Sequence, residues 1–525
     1  MTSSQTRRRA FTKRSRTGCR TCRIRHVKCD EAPGGCRNCI SNGWSCEGSE
    51  LNRLPRHRDP TRALLSAPST GFRWAMTPDE KRCVSFFLHR TIPSLTSYYD
   101  SSLWQKTVLH MCGTEPAVYH AVVALSAVNQ DLERYGIPVP GTAPASTWHR
   151  FALDQSMRSF SLLTQRHVLQ DPQLKEVVLV CCLLFVMLDL ASGRIDEATA
   201  HLHSGLSILT DMNVQCRRLG AAPVRVEEAL LEAFLQLGSQ ATLHGYAQPL
   251  FRLDDIFELD QTYSFQNLQD VQQALGPLVN NGLPFIDECW NLPESEIIRL
   301  HGALHSRQMR LLSRLDRFGG PLNEYLETAY GRLTQKEQRG ADMIKVTYLT
   351  MLLTIKTCLY TQSDREPVCF LGEYKELLSA SLAAMDKFQD HPMMTMDTTI
   401  CLALFTVAAR CPDYGLRLQA IKALRAWPHC EGYLNSVFLA DLVMEGMKRD
   451  LRQLWQGVNT RTSSLPPGSS FQSNEAGVLV QIHDKAGGDN FWISLNPNHA
   501  LAHALSSIQS ARRWACVKAY EILLA

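Results

Sequence analysis

Several features that define common protein classes are missing from this sequence of 525 residues. The apolar run Val177–Leu188 has twelve residues, whereas a membrane-spanning helix needs about 20. No apolar core precedes Cys19, so residues 1–18 lack the pattern of a secretory signal. Disulfides persist in oxidising compartments, so we expect a soluble, intracellular protein without a disulfide framework.

The common catalytic motifs are also missing. The sequence has neither a G-x-x-x-x-G-K-[ST] phosphate loop nor a G-x-S-x-G nucleophile elbow. Three histidine pairs lie at close spacing: His201/His203, His301/His305 and His499/His503. None has the intervening glutamate of H-E-x-x-H, so we interpret them as satisfied or surface histidines. The sequence therefore predicts that the protein is not an enzyme.

What the sequence does contain is a repeated cysteine spacing near its N-terminus. Each copy reads C-x2-C-x6-C, and six residues separate the copies. The six cysteines are Cys19, Cys22, Cys29, Cys36, Cys39 and Cys46. Cysteines two residues apart can bind one zinc ion from a tight turn.

The number of cysteines favours a binuclear site. Two tetrahedral zinc ions need eight coordination positions, which six thiolates supply when two of them bridge both metals. An iron–sulfur cluster would use four cysteines and leave two without a role. A single-zinc ribbon formed by the two C-x2-C pairs would likewise leave Cys29 and Cys46 idle. We therefore predict two zinc ions as the cofactor.

The segment Cys19–Glu31, together with Cys36–Cys39 and Trp44–Cys46, resembles the fungal binuclear zinc-cluster transcription factors. The resemblance implies that Cys19 and Cys36 bridge the two zinc ions. It implies that Cys22 and Cys29 complete one site, whereas Cys39 and Cys46 complete the other. It also implies that a short helix enters the major groove of double-stranded DNA and reads a CGG triplet.

Positive charge is concentrated around this cluster. Residues 1–58 contain 14 Lys and Arg against four acids, which is +10, whereas the whole chain is +4 and the remainder −6. Such asymmetry is typical of nucleic-acid binding. Only the first half of the cluster is strongly basic, because the loop between Cys39 and Cys46 has no charge. We expect the first half to contact DNA.

Candidate DNA contacts follow from the positions of these cations. Arg25 and His26 lie near the C-terminal end of the expected helix after Cys22, and arginine pairs well with guanine O6 and N7. Arg20, Arg23 and Lys28 are candidates for phosphate contacts. Any one of them could instead be a solvated surface charge. A second group forms a basic arm for nuclear import or phosphate binding: Arg7, Arg8, Arg9, Lys13 and Arg14.

Composition also predicts the division into domains. We predict a basic disordered arm over residues 1–16, a zinc-cluster domain over 17–48 and a flexible linker over 49–76. The linker has Pro55, Pro60 and Pro68 and no heptad pattern that would form a coiled coil. The protein then binds DNA either as a monomer or as a dimer joined through its large domain, and we favour the dimer.

We predict that residues 77–525 form a large regulatory domain that is all helical apart from a short β-hairpin. Thr77–Glu80 has the pattern of a capping box, and apolar residues recur at helical spacing after Val118 and Ala198. We expect Val177–Leu188 to be a buried core helix. Loops are expected over residues 136–147 and 460–472, a hairpin over Val478–Ile482 and Phe491–Leu495, and a last helix over 498–525. Twelve further cysteines are scattered, and we interpret them as buried thiols.

The segments Leu184–Gly193 and Ala200–Leu209 resemble the middle region of the same transcription-factor family. Taken together, the sequence predicts a mostly α nuclear protein that binds CGG-type half-sites, contacts the transcription machinery and controls a metabolic pathway or biosynthetic gene cluster. The alternative is a zinc-stabilised adaptor that acts through its helical domain without reading DNA.

Overall fold

The structure is a computed structural model. It describes residues 19, 21–22, 25, 27–30, 32, 36–42, 46, 76–138, 146–168, 174–219, 228–243, 263–360, 368–388, 390–459, 469–474, 477–483 and 490–495. The chain divides into two compact units, Met1–Thr70 and Gly71–Ala525. The predicted arm and last helix, and the predicted linker apart from its final residue Met76, lie outside the described residues.

The described residues of the smaller unit form a short helix, α1 (Arg37–Ile40), and a helical turn at residues 21–22. Cys36 caps α1, because its extended backbone lets its side chain accept a hydrogen bond from the Cys39 amide. The five best-buried cysteines pack together in this unit, and Cys46 packs against them. The sulfur atoms therefore form the interior of a unit that is too small for an apolar core.

The larger unit is built mainly from helices. Its N-terminal half contains α2 (Pro78–Phe86), α3 (Ile92–Leu95), α4 (Val108–Thr114), α5 (Pro116–Tyr135), α6 (Thr147–Val168), α7 (Leu174–Ala191), α8 (Ile195–Leu219) and α9 (Glu228–Thr242). Its C-terminal half contains α10 (Leu268–Asn291), α11 (Glu294–Ala329), α12 (Gln335–Thr357), α13 (Leu371–Met385), α14 (Ile400–Arg410), α15 (Tyr414–Ala426) and α16 (Ser436–Asn459). Single π-helical turns at Phe87–Thr91 and Leu103–Thr107 and short 3-10 segments at Tyr330–Arg332 and Val368–Phe370 complete the set. The predicted mostly α fold is confirmed.

Helix α7 forms the centre of the N-terminal half. Residues 179–191 are all buried, and α7 packs against both α5 and α8. A helix that is apolar on every side is stable only when other helices surround it. The predicted buried core helix is confirmed, and no helix among the described residues has the length and apolarity that a bilayer crossing requires.

The start of α2 confirms the predicted capping box. The Glu80 amide donates to Thr77 Oγ1 at 3.3 Å, and the Thr77 amide donates to Glu80 Oε2 at 2.8 Å. These bonds satisfy two backbone groups that the first helical turn would otherwise leave without partners. Glu80 is 3% exposed, so the cap also fixes the helix against the core.

Among the residues that the structure describes, six short strands form two three-stranded sheets. The first contains β1 (Met394–Thr395), β2 (Cys430–Glu431) and β3 (Leu434–Asn435), with β1 and β2 parallel and β2 and β3 antiparallel. The second is the antiparallel set β4 (Ser469–Asn474), β5 (Gly477–His483) and β6 (Asn490–Ser494). Pairing of β5 with β6 confirms the predicted hairpin.

Two predictions are wrong in part, one about the loop before β5 and one about the scattered cysteines. Strand β4 occupies residues 469–472, where we predicted a loop, because pairing with β5 outweighs the low strand propensity of Ser and Gln. Cys369 is exposed, whereas we predicted buried thiols. It is the middle residue of the short 3-10 segment Val368–Phe370, which precedes α13.

Candidate metal centre and nucleic-acid interface

The six predicted metal ligands come together in the smaller unit. Cys19, Cys22 and Cys39 are 0% exposed, and Cys36 is 1% exposed. Sγ–Sγ separations are 3.5 Å for Cys22 and Cys36, 3.6 Å for Cys19 and Cys36, and 3.7 Å for Cys19 and Cys39. A disulfide bond would be about 2.05 Å long. Two ligands of a tetrahedral zinc, each about 2.3 Å from the metal, lie roughly 3.8 Å apart.

The sulfur atoms form two overlapping groups of four. One group is Cys19, Cys22, Cys29 and Cys36, and the other is Cys19, Cys36, Cys39 and Cys46. Within each group the sulfur atoms all lie within 4.8 Å of one another. Cys19 and Cys36 belong to both groups, so these two sulfur atoms are placed to contact both metals.

The two halves of the centre have the same local geometry. In the first half, the Cys19 amide donates to Cys29 Sγ at 3.3 Å, and the Cys22 amide donates to Cys19 Sγ at 3.3 Å. Seventeen positions later these bonds recur, at 3.2 Å from the Cys36 amide to Cys46 Sγ and at 3.3 Å from the Cys39 amide to Cys36 Sγ. Amide donors around a sulfur stabilise its thiolate form and hold it in place. The repeated spacing in the sequence is thus a repeated structure.

An acidic residue joins the two halves, and the sequence analysis did not identify it. Asp30 accepts hydrogen bonds from the Arg37 amide at 3.0 Å and from the Asn38 amide at 3.3 Å. Both amides belong to the first turn of α1, where negative charge is favourable. The Arg37 amide bond is the main cause that lowers the pKa of Asp30 below its usual value. The position of an acid directly after Cys29 is the signal that could have indicated this role.

Burial governs the protonation of the ligands. It raises the pKa of the Cys19, Cys22 and Cys36 thiols above the usual value. Thiolates are therefore unfavourable here without a cation to neutralise them, and zinc must replace protons when it binds. Soft thiolate ligands with tetrahedral spacing suit zinc, so the described residues fit the predicted metal.

Two of the five predicted DNA contacts lie within the described residues. The Arg25 amide donates to Thr21 O at 3.1 Å, which places Arg25 at the end of a helical turn that begins beside Cys22. Arg25 is half-buried, and Lys28 is exposed just before Cys29. Arg20, Arg23 and His26 lie outside the described residues, as do Arg7, Arg8, Arg9, Lys13 and Arg14.

The histidine pairs bring no further ligands together. His301 and His305 are both exposed on α11, with stacked rings whose centroids are 5.6 Å apart. His201 is half-buried against Phe185 and Asp189, and His203 is exposed. None of these residues belongs to a group of metal ligands among the described residues. His499 and His503 lie outside the described residues.

Comparison with protein families gives two matches. Residues 17–54 match the fungal Zn(2)-Cys(6) binuclear cluster domain, and residues 82–445 match the fungal specific transcription factor domain. The second match covers well over half of the chain. The cluster domain binds two zinc ions, which are therefore the cofactor of this chain.

Curated relatives are transcription regulators. The chain is similar to the aspercryptin biosynthesis cluster-specific transcription regulator atnN of Emericella nidulans, at 23% identity over 65% of this chain and 59% of that protein. It is similar to transcription regulator lscL of Purpureocillium lilacinum, at 24% identity over 36% of this chain and 47% of that protein. It is also similar to White-opaque regulator 2 of Candida albicans, at 47% identity over 10% of this chain and 13% of that protein.

These matches cover less than two thirds of each relative's own length. No solved structure matches the chain. The two family matches and the regulator relatives agree with one another and with the geometry of the cysteine centre. Together they describe a regulator of transcription, a class of protein that is not enzymatic.

Proposed function

Because this chain belongs to the family of fungal-specific transcription factors, we propose that it regulates transcription by reading CGG-type triplets of double-stranded DNA through its two-zinc cluster. The single observation that carries the proposal is the arrangement of six cysteine sulfur atoms in two groups that share Cys19 and Cys36. This arrangement gives two zinc ions a rigid frame without an apolar core. A rigid frame is what a short recognition turn needs to hold its orientation in a groove.

The ligand assignment follows from the two groups. We assign Cys22 and Cys29 to one zinc as terminal ligands, Cys39 and Cys46 to the other, and Cys19 and Cys36 to both. Each bridging sulfur also accepts one backbone N–H bond, from the Cys22 or the Cys39 amide. Those bonds fix the two shared sulfur atoms from the same side in each half.

The first half of the cluster is the proposed DNA-contacting surface. Arg25 ends the helical turn after Cys22, and we assign its guanidinium to guanine O6 and N7 in the major groove. Lys28 is exposed and suits a phosphate. We assign Arg20 and Arg23 to phosphate and His26 to the base edge beside Arg25, on the basis of their positions in the sequence.

The proposed biological role rests on the relatives. The name of atnN states that it is specific for a biosynthesis cluster. We propose that this chain likewise acts in the nucleus and controls one metabolic pathway or biosynthetic gene cluster. The basic arm at Arg7, Arg8, Arg9, Lys13 and Arg14 is the proposed nuclear-import and phosphate-binding segment. Self-association through the helical domain would pair two clusters on two half-sites, and the mass of the purified chain by light scattering tests it.

Titration of the full chain against duplexes tests the proposal. We expect tighter binding to a CGG-containing duplex than to a scrambled duplex, with affinity falling as salt concentration rises. Arg25→Ala should reduce the preference for CGG by about 1–3 kcal/mol. Arg37→Ala is the matched control, because Arg37 is an exposed arginine on the second half of the cluster and should leave the preference unchanged.

The two possible failures of this titration have different meanings. If Arg25→Ala keeps the full preference for CGG, the assignment of Arg25 is wrong although the protein still reads DNA. If the unaltered chain has neither the preference nor the salt dependence, the proposal fails. That result would favour a zinc-stabilised adaptor that acts through its helical domain.

A further inference from the structure

A second group of potential metal ligands lies inside the helical unit. Cys401, His429 and Glu431 each offer one ligand atom, and the three atoms lie within 4.8 Å of one another. The side chains of His429 and Glu431 are 0% exposed, and Cys401 is 0% exposed as well. Cys401 is in the first turn of α14, whereas Glu431 is in β2 and His429 directly precedes that strand.

The Glu431 side chain is held at the start of α14 by three backbone hydrogen bonds. Its carboxylate accepts backbone N–H bonds from Thr399 at 2.7 Å, Ile400 at 3.0 Å and Cys401 at 2.9 Å. These donors belong to the N-terminal end of α14, where a carboxylate is favoured. One lone-pair position of Oε1 remains, and it faces His429.

The ring of His429 is oriented by its other nitrogen. Nδ1 lies 2.8 Å from Trp427 O, so Nδ1 carries a proton and donates it to that carbonyl. In the neutral ring Nε2 then has a lone pair, which points toward Glu431 Oε1 at 3.2 Å and Cys401 Sγ at 3.6 Å. A metal ion between these atoms would accept that lone pair and would also contact the Glu431 carboxylate and the Cys401 sulfur.

The distances fit a tetrahedral metal. An ion about 2.0–2.1 Å from Nε2 and Oε1 and about 2.3 Å from Sγ would have N–M–O and S–M–N angles of roughly 100–110°. A divalent ion with one thiolate, one carboxylate and one neutral imidazole has no net charge, which suits a fully buried site. Donation from Nδ1 to a backbone carbonyl is the usual orientation of a metal-binding histidine.

Tyr98 is a buried residue on which the charges of two of these three side chains act. It is 1% exposed, and its hydroxyl has no hydrogen-bond partner of standard geometry among the described residues. Burial raises its pKa first, and the charges of Glu431 and Cys401 raise it further, whereas a weak contact with Thr395 lowers it.

We propose that Cys401, His429 and Glu431 bind one structural zinc ion that joins β2 to the start of α14 and is separate from the two zinc ions of the cluster. Mixed sulfur, nitrogen and oxygen ligands are typical of zinc. The site would stabilise the helical unit and has no direct part in reading DNA, so its existence is independent of the proposed function.

Zinc stoichiometry tests the proposal. The full chain, loaded with zinc and desalted, should contain three zinc ions per polypeptide. Cys401→Ala should lower the count to two. Cys430→Ala is the matched control, because Cys430 is an equally buried neighbour outside the ligand group and its loss should leave three. A count of two for the unaltered chain would overturn the proposal.

A second measurement isolates the new site. In a double variant, Cys19→Ala with Cys36→Ala, the cluster loses both shared ligands and we expect one zinc ion. A chelator should then lower the temperature at which the helical unit of this variant unfolds. If the unfolding temperature is the same with and without chelator, the site holds no metal.

Discussion

At the scale of single residues, the centre depends on one side chain that is not a ligand. Asp30 connects the end of the first half to the first turn of α1 by two backbone hydrogen bonds. The Asn38 side chain adds a third connection, since its amide donates to Lys28 O at 2.8 Å. The two halves are thus held together by hydrogen bonds as well as by shared sulfur atoms.

Removal of this cap should loosen the centre. We expect Asp30→Ala to release zinc to a chelator faster than the unaltered chain, because two amides of α1 lose their acceptor. Asp30→Asn should have a smaller effect, since its amide oxygen can still accept. Because the folded pKa of Asp30 is lowered, its contribution is present above the unfolded pKa of about 3.9 and is lost as pH falls through the folded pKa. Equal release rates for all three proteins would contradict this role.

A second residue predicts a pH effect of opposite sign. Asp189 is buried beside Arg194 and His201, and burial raises its pKa to about 7 despite the ion pair with Arg194. The folded state therefore keeps a proton that the unfolded state loses, so this residue makes the fold less stable as pH rises from about 4 to 7.

Substitution of Asp189 should reveal that cost. The free energy of unfolding of Asp189→Asn, taken relative to that of the unaltered chain, should be about 2–3 kcal/mol higher at pH 8 than at pH 5. Denaturant unfolding at both pH values measures it, and Asp386→Asn is the control because Asp386 is exposed. If the two proteins differ in free energy of unfolding by the same amount at pH 5 and pH 8, Asp189 is ionised in the fold throughout this range.

At the scale of elements, helix packing depends on small residues that face large ones. Gly205 in α8 lies against Phe234 in α9, and a Cβ atom at Gly205 would be 2.2 Å from the Phe234 ring. Gly302 in α11 has open space around its Cβ position. The same substitution should therefore have opposite effects at the two positions.

Gly205→Ala should destabilise the helical unit by about 1–3 kcal/mol, because the Phe234 ring must leave its place in the core. Gly302→Ala should stabilise it by roughly 0.5–1 kcal/mol, since alanine favours the helix. Thermal or denaturant unfolding of both variants measures the change in stability that each substitution causes. A gain of stability at Gly205 equal to that at Gly302 would mean that helix propensity and not packing decides the outcome.

The sequence predicted those elements that have a strong local signal. The capping box at Thr77 and the apolar run of α7 are local patterns, and both predictions are confirmed. The strands β1 to β3 have two residues each, which is too short for any periodicity, and β4 is rich in Ser, Gln and Asn. Their pairing depends on tertiary contacts, which a local pattern does not contain.

The cysteine centre was more predictable than its surroundings. Six ligands in two copies of one spacing define the metal and its number, because tetrahedral coordination leaves few alternatives. Asp30 was missed because its role depends on where α1 begins. Cys401 and His429 are distant in sequence, and no spacing rule relates them.

At the scale of the whole molecule, the two units differ in chemistry. The first 58 residues have a formal charge of +10, and the remainder has −6. The division of residues 1–48 into arm and cluster, and of 49–525 into linker and helical domain, stays a prediction. So do the contacts of Arg25, His26, Arg20, Arg23 and Lys28 with DNA.

This charge separation predicts a steep dependence of DNA binding on salt. Each phosphate contact that Lys or Arg makes contributes about −0.9 to the slope of log affinity against log salt concentration. Lys28→Ala should make the slope less negative by about one without changing the preference for CGG. A slope that is unchanged would place Lys28 outside the phosphate-contacting surface.

The most direct measurement is the preference of the full chain for a CGG-containing duplex over a scrambled one, before and after a chelator removes zinc. The preference should be present with zinc, be lost after chelation and return when zinc is restored, because the thiolates need the metal ions to hold the recognition turn. A preference that survives the removal of all zinc would contradict the account.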